Sequence, residues 1–224
     1  MTTLTKRDVE IPYEAEFEQL IAKDYARLAE QGHIYLDYTG GNLYAQSQLT
    51  KHHEMLSQHV FGNPHSTNPT SKLATQLVDE ARQKVIDFFH ADDYFCIFTQ
   101  NASDALKIIG ESYPFEDNGR FVLLSDNHNS VNGIREYCMN SGGSFDYAPI
   151  HVEDLRIDEA ELTQLLNDDR PFEHKLFAFP AQSNVSGVQH DLRWIKKAHD
   201  KGWDVLLDAA ACPLVPARSD YGLP

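Results

Sequence analysis

The sequence predicts an α/β fold, with a mainly parallel sheet between two layers of helices in a three-layer α/β/α arrangement. The first observation is the alternation of short apolar runs with segments of helical periodicity along most of the chain. The second is the length of 224 residues, typical of one large domain or slightly more, and the third is a hydrophobic content of 42%, sufficient for a core. Short buried strands that alternate with helices favour right-handed crossovers and therefore parallel pairing.

The N-terminal third of the chain predicts two helices and one strand. Glu14–Gln31 has its apolar side chains on one helical face, and Gly32 is a suitable end for this helix. His33–Asp37 is predicted as a short strand that leads into a glycine-containing loop. Asn68–His90 has the strongest helical pattern, because its apolar residues recur at spacings of three and four behind an Asn-Pro-Thr-Ser start.

The rest of the chain predicts strands and helices in alternation. The apolar runs predicted as strands are Tyr94–Phe98, Phe121–Leu124, Ser144–Pro149, Lys175–Phe179 and Asp204–Leu207. The segments predicted as helices are Ala102–Tyr113, Ser130–Asn140, Asp158–Leu166 and Leu192–Lys201. In parallel sheets, ligands bind at the carboxyl ends of the strands. The residues directly after each apolar run are therefore the candidate functional residues.

The composition argues against several classes of protein. The chain has 19 basic and 34 acidic residues and a formal net charge of −15, which repels phosphate backbones and anionic lipid. We therefore expect no nucleic-acid partner and no membrane partner. Met1–Glu10 is polar and does not resemble a signal peptide, and three cysteines without C-x-x-C spacing fit reduced thiols. The expected location is the cytoplasm.

Common catalytic motifs are absent from the sequence. It contains neither of the glycine-rich phosphate motifs, G-x-x-x-x-G-K-[ST] and G-x-G-x-x-G. It also contains no H-E-x-x-H and no G-x-S-x-G. No metal site is expected, because the eleven histidines form no cluster with ligand spacing. Nucleotide-binding domains, metal hydrolases and serine hydrolases are therefore disfavoured.

Four predicted strand ends carry groups that together suit one cofactor. Ala102 and Ser103 open a helix whose N–H groups can hold an anion, although an ordinary helix cap explains them as well. His128 is either a capping or surface residue or a partner for a flat ring, and Asn184 is either a turn residue or a donor to a ligand oxygen. Asp208 is the most informative, because a carboxylate in apolar surroundings needs a Lys, an Arg or a protonated ring nitrogen. Pyridoxal 5'-phosphate requires such a set.

Three motifs occur in the order typical of one enzyme family. They are the strand and loop 35–44, Phe-Gly-Asn-Pro-His-Ser at 61–66 and Phe-Thr-Gln-Asn-Ala-Ser at 98–103. They resemble the opening strand and substrate-side loop, the Gly-Asn-Pro motif and the phosphate-binding turn of class V aminotransferases, a fold-type I family that includes cysteine desulfurases. Gly-Asn-Pro-His-Ser and the Asp-Ala-Ala-Ala stretch after the last strand are most similar to the desulfurase-like domain of molybdenum cofactor sulfurases.

The resemblance implies a role for each candidate residue. It places Ala102 and Ser103 on the cofactor phosphate, His128 on the ring face as a catalytic residue, Asn184 at the phenolic oxygen and Asp208 at the pyridine nitrogen. It implies L-cysteine as the small amino-acid substrate and a homodimer for the complete enzyme. It also implies a domain organisation of an N-terminal helical segment, 1–32, followed by a partial cofactor-binding large domain, 33–224, without the small C-terminal domain.

One expected residue is missing. In the family, the Schiff-base lysine follows the pyridine-binding aspartate by roughly two dozen residues, whereas here sixteen residues follow Asp208 and none is lysine. The chain is therefore expected to stop before that lysine and to form no Schiff base at its position. None of the cysteines matches a sulfur acceptor: Cys96 is predicted in a buried strand, Cys138 at a helix end, and Cys212 beside the ring-binding strand.

These observations leave alternative functions open. The chain is interpreted as the N-terminal part of an enzyme that removes sulfur from L-cysteine. The first alternative is a catalytically inactive truncated chain or scaffold with the same fold. The second is a class V transaminase, epimerase or lyase that acts on another amino acid, because the residues that decide between these reactions lie largely on the substrate side.

Overall fold

The computed structural model of the chain describes residues 13–38 and 40–212. The predictions made for Met1–Glu10 and for the C-terminal residues lie outside the described residues. The chain divides into two units between Val78 and Asp79. The first unit is helical, and the second contains a parallel sheet.

Helices are the regular elements of the first unit. They are α1 (Glu14–Asp24), α2 (Ala26–Glu30), α3 (Gln46–Gln58) and α4 (Pro69–Phe89), the last of which continues past the division. The helix predicted at Asn68–His90 is confirmed to within one residue at each end. Asn68 caps it, because its side-chain oxygen accepts a hydrogen bond from the Ser71 amide at 3.0 Å. None of the helices in the described ranges is long and apolar enough to cross a membrane.

The single helix predicted at Glu14–Gln31 is wrong, because the helix stops at Asp24 and a second one starts after Tyr25. The Asp24 carboxylate is buried and accepts a hydrogen bond from the Ser47 amide at 2.7 Å, at the start of α3. Hydrogen bonds from Ser47 lower the pKa of Asp24. Arg27 donates to the Asp24 carbonyl at 3.0 Å. These contacts hold the chain in the bend between the two helices.

The strand predicted at His33–Asp37 is also wrong. Ile34 and Leu36 are 87% and 86% exposed, and no strand among the described residues pairs with this segment. The Tyr35 hydroxyl instead donates to the Gly41 carbonyl at 2.5 Å and closes a local loop. A strand requires hydrogen bonds to a neighbouring strand, and the pattern of apolar residues contains no information about that neighbour.

A four-stranded parallel sheet with helices on both faces forms the second unit. Its elements are α5 (Ala102–Ser112), β1 (Gly119–Leu124), α6 (Asn129–Asn132), α7 (Ile134–Asn140), β2 (Ser144–Ala148), α8 (Glu159–Leu166), β3 (His174–Pro180), α9 (Arg193–His199) and β4 (Asp204–Asp208). The strand order is β2-β1-β3-β4, and all three neighbouring pairs are parallel. The predicted α/β class is therefore confirmed.

Successive side chains of the strands enter two separate cores. The residues of β1 and β3 that face α8 and α9 are Val122, Leu124, Phe177 and Phe179. The residues that face α5, α6 and α7 are Phe121, Leu123, Leu176 and Ala178. All eight are at most 3% exposed, so the sheet is buried on both faces and forms the middle layer of the predicted three.

Two further predictions in this unit are wrong. Tyr94–Phe98 is not a strand, and Phe95 and Ile97 are 94% and 72% exposed. This segment has the apolar composition of a buried strand, but no strand in the described part of the chain pairs with it. The helix predicted at Ser130–Asn140 is interrupted at Gly133 and forms two short helices, α6 and α7.

An ion cluster lies near the start of β1. Arg120 has only 2% of its side chain exposed, and it lies 2.5 Å from an Asp146 carboxylate oxygen and 3.4 Å from one of Asp168. Asp168 also pairs with Arg170 at 2.5 Å. Hydrogen bonds from Arg170 lower the pKa of Asp168 from an ordinary value of 3.8 to about 2. The cluster therefore stabilises the folded chain with Asp168 ionised.

This cluster predicts a loss of stability in acid. The Asp168 contribution is complete above the unfolded-state pKa and is lost as the pH falls from about 4 through the folded-state pKa of about 2. Urea unfolding at a series of pH values should give a free energy of unfolding that falls more steeply over this range for the native chain than for Asp168→Asn. Parallel curves for the two proteins would contradict the assignment.

Candidate functional site

The carboxyl ends of three strands lie side by side. Because β1, β3 and β4 are adjacent and parallel, the loops that follow them begin at the same edge of the sheet. His128 lies in the loop after β1, Asn184 lies in the turn after β3, and Asp208 is the last residue of β4. The structure therefore brings these three residues, which are distant in sequence, to one edge.

Helix α5 runs antiparallel to the strands and begins at the same edge. Its C-terminal end is fixed at the opposite edge, where the Tyr113 hydroxyl donates to Asp204, the first residue of β4, at 2.8 Å. The Tyr113 ring also lies 6.2 Å from the ring of His174, the first residue of β3. Burial and Asp204 raise the pKa of Tyr113, which keeps its hydroxyl a donor. Ala102 and Ser103 therefore lie toward the carboxyl edge.

The start of α5 is capped and partly open. The side chain of Asn101 accepts a hydrogen bond from the Asp104 amide at 2.9 Å, and the Asp104 carboxylate accepts one from the Gln100 amide at 3.4 Å. The ordinary helix cap that was one of the two interpretations of this segment is thus present. Ala102 and Ser103 remain exposed. N–H groups of a first helical turn have no partner within the helix, so this end offers donors to an anion.

His128 is an exposed residue that caps α6. Its Nδ1 accepts a hydrogen bond from the Ser130 amide at 3.2 Å and lies 2.5 Å from the Ser130 hydroxyl oxygen. A nitrogen that accepts from an amide has no proton, so the neutral ring has its proton on Nε2. The predicted cap is therefore present, and it fixes the orientation of the ring without covering it.

Asn184 is an exposed residue in a tightly bonded turn. The buried Ser183 hydroxyl accepts hydrogen bonds from the Val185 amide at 3.2 Å and the Ser186 amide at 3.3 Å. Gly187 adopts a positive φ of 74° and donates its amide to the Ser183 carbonyl at 3.0 Å. The predicted turn is therefore present, and it leaves Asn184 exposed at the edge.

Asp208 is half-buried at the end of β4. One carboxylate oxygen accepts a hydrogen bond from the Ala210 amide at 3.0 Å, and the Asp208 carbonyl accepts one from the Ala181 amide at 2.8 Å. None of the ion pairs found in the described ranges involves Asp208. The cationic partner that the sequence predicts for this carboxylate is therefore not supplied by a described Lys, Arg or His.

Several residues that stabilise this edge were missed in the sequence. The Asn127 side chain donates to the carbonyls of Leu124 and Ala178 at 3.1 Å each and so joins the ends of β1 and β3. Asp126 and His190 form a buried pair, with 2.9 Å between carboxylate oxygen and ring nitrogen. The available signal was the polar run Ser-Asp-Asn-His directly after an apolar strand. Its partner at His190 could not be inferred without the fold.

The three cysteines are not in disulfides, and they differ in burial. Cys138 is buried in α7, and burial raises the pKa of its thiol to about 11, so it is a poor nucleophile. Cys96 and Cys212 are half-buried. The prediction that Cys96 lies in a buried strand is wrong, because residues 94–98 form no strand in the described part of the chain.

The arrangement of sheet and helices defines a class of fold that is shared with cysteine desulfurases. The apo structure of the cysteine desulfurase from Thermococcus onnurineus NA1 matches with a TM-score of 0.73 and 22% identity, over 86% of this chain and 47% of that one. CsdA from Escherichia coli matches with a TM-score of 0.67 and 18% identity, over 85% and 47%. A C-DES mutant with glycine covalently linked to its PLP cofactor matches with a TM-score of 0.69 and 16% identity, over 85% and 49%.

Sequence comparison identifies the family. Residues 34–214 match the family model for aminotransferase class-V, and the chain belongs to this family. It is 38% identical to the molybdenum cofactor sulfurase of Homo sapiens, over 86% of this chain and 23% of that protein. It is 32% identical to the molybdenum cofactor sulfurase of Arabidopsis thaliana, over 88% and 28%. The chain thus spans about a quarter of the length of these relatives. The predicted family is confirmed.

Proposed function

We propose that this chain is the N-terminal, cofactor-binding part of a pyridoxal-phosphate-dependent enzyme that removes sulfur from L-cysteine. The observation that carries the proposal is the position of one helix start and three strand ends at a single edge of the sheet. Membership of the aminotransferase class-V family supports pyridoxal 5'-phosphate as the cofactor. Similarity to molybdenum cofactor sulfurases and cysteine desulfurases supports L-cysteine as the substrate.

The start of α5 fits the phosphate group of this cofactor. Asn101 caps the Asp104 amide, which leaves the exposed Ala102 and Ser103 amides and the Ser103 hydroxyl as donors. The helix dipole adds positive potential at this end. Ala102 and Ser103 are therefore assigned to the phosphate.

His128 and Asn184 fit the ring and its phenolic oxygen. The Ser130 cap holds the His128 imidazole in one orientation with its proton on Nε2, so the ring can lie against a flat aromatic surface and donate a hydrogen bond from that atom. The turn fixed by Ser183 holds the Asn184 amide at the same edge, where it can donate to an oxygen. His128 is the catalytic residue of the proposal, and Asn184 orients the ring.

Asp208 fits the pyridine nitrogen. Its carboxylate has one oxygen bonded to the Ala210 amide and no cationic partner among the described side chains, so it can hold a proton on a ring nitrogen by charge. When bound, the cofactor supplies an electron-withdrawing ring that delocalises negative charge from the substrate carbon. Asp208 maintains the protonated ring on which this effect depends.

The proposal extends to the complete protein. We assign residues 1–32 to an N-terminal segment, in which the structure describes helices α1 and α2, and residues 33–224 to the partial cofactor-binding domain. The match of the family model to 34–214 supports this division. We further propose that the complete protein is a homodimer, which the family resemblance supports, and that it is cytoplasmic, which the three cysteines without C-x-x-C spacing support.

The substrate is tested by assaying the complete protein with L-cysteine, pyridoxal 5'-phosphate and a thiol reductant. The expected products are alanine and sulfide in equal amounts. Formation of a keto acid from several amino acids without release of sulfide would favour a transaminase and contradict the proposed reaction. L-Serine, in which a hydroxyl replaces the thiol, is the matched control and should release no alanine.

A further inference from the structure

A buried carboxylate–imidazole pair connects the two loops that hold His128 and Asn184. Asp126 lies two residues before His128, and His190 lies six residues after Asn184. The distance between an Asp126 carboxylate oxygen and His190 Nε2 is 2.9 Å, and each side chain is only 2% exposed. The pair is therefore shielded from solvent and joins the two loops that follow β1 and β3.

Each member of the pair is held by its own surroundings. The Asp126 carbonyl accepts a hydrogen bond from the Ser183 hydroxyl at 3.3 Å. The same hydroxyl accepts the amide hydrogen bonds that form the Asn184 turn. The His190 amide donates to the Ala181 carbonyl at 3.0 Å, and its ring stacks on Trp194 with the ring centroids 5.4 Å apart. A movement of either residue would therefore move the loop to which it belongs.

The pair is not explained by stability alone. Desolvation of two polar groups is costly, and apolar residues of similar volume often stabilise a protein as well or better. In addition, the second Asp126 oxygen is buried and has no hydrogen-bond partner in the described structure, which adds to the cost. Because burial of this pair costs free energy and its hydrogen bond has a fixed direction, we expect its role to be to fix the positions of the two loops.

We propose that Asp126 and His190 are positioning residues that set the distance between His128 and Asn184. The inference rests on the proposed function, because the proposed function is what places His128 and Asn184 on one bound cofactor. Removal of the pair is expected to loosen the two loops against each other, while the strands below them remain joined by Asn127.

The test uses the 224-residue chain and N-phosphopyridoxyl-L-alanine, a stable amine that needs no lysine for binding. Its affinity is measured by fluorescence, and the free energy of unfolding is measured in urea. The double variant Asp126→Leu/His190→Leu leaves no lone buried charge and should unfold like the native chain. Its affinity for the probe should nevertheless fall about tenfold. The single variant His190→Gln places an amide nitrogen near the position of Nε2, so it can still donate a hydrogen bond to Asp126. It should therefore keep most of the native affinity that the double variant loses.

Asp168→Asn is the control, because it alters an ion-paired carboxylate near the start of β1, away from the strand ends. Its affinity should equal that of the native chain, even if it loses stability. Native affinity in the double variant would overturn this inference but not the proposed function. An affinity of His190→Gln as low as that of the double variant would do the same. Failure of the native chain to bind the probe would contradict the proposed function, and the inference with it.

Discussion

Asp208→Asn in the complete protein is expected to lower kcat/KM for L-cysteine about a hundredfold or more. Asparagine can still accept the hydrogen bond from the Ala210 amide, so the end of β4 should keep its conformation. It has no negative charge, however, and cannot keep the pyridine nitrogen protonated. The loss should appear mainly in kcat, because the phosphate donors at the start of α5 are unchanged. The measurement is the rate of alanine formation at saturating and limiting L-cysteine.

Asp158→Asn is the matched control for this change. Asp158 caps α8 by accepting hydrogen bonds from the amides of Ala160 and Glu161 at 3.0 and 3.1 Å, and asparagine caps helices equally well. This variant should have native activity. An Asp208→Asn enzyme with unchanged kcat would show that the carboxylate is not paired with the cofactor ring.

Trp203→Ala is expected to lower the free energy of unfolding by about 3–5 kcal/mol. Trp203 immediately precedes β4 and is only 2% exposed, in the core between the sheet and helices α8 and α9. Its indole N–H donates to the Leu166 carbonyl at 3.0 Å. Alanine would leave a cavity and an unsatisfied carbonyl, and β4 would lose the residue that fixes its start. Urea unfolding followed by circular dichroism measures the effect.

Trp203→Phe separates the two contributions in this prediction. Phenylalanine fills most of the volume but cannot donate the hydrogen bond, so the expected loss is only about 1–2 kcal/mol. Equal stability of the alanine variant and the native chain would contradict the assignment of Trp203 to the core.

The fold was predictable where a segment is buried on both faces. Phe121–Leu124 and Leu176–Phe179 are continuous apolar runs, and both lie in central strands of the sheet. His33–Asp37 and Tyr94–Phe98 have similar composition but no paired strand among the described residues. Strand formation depends on a partner that is distant in sequence, and local composition does not identify it.

The candidate site was predictable where it depends on strand topology, and it was not predictable where it depends on contacts between distant loops. Parallel strands bring their carboxyl ends to one edge, so the positions of His128, Asn184 and Asp208 followed from the predicted topology. The pairing of Asp126 with His190 spans 64 residues and depends on the exact path of two loops. No spacing rule predicts such a pair, and it was found only in the structure.

The most direct test of the account is the location of the bound cofactor group. The amide spectrum of the isotopically labelled chain is recorded by nuclear magnetic resonance while N-phosphopyridoxyl-L-alanine is added. The account predicts that the largest shifts occur at Ala102, Ser103, His128, Asn184 and Ala210, all at the carboxyl edge of the sheet. Shifts confined to the opposite edge, or no shifts at saturating probe, would contradict it.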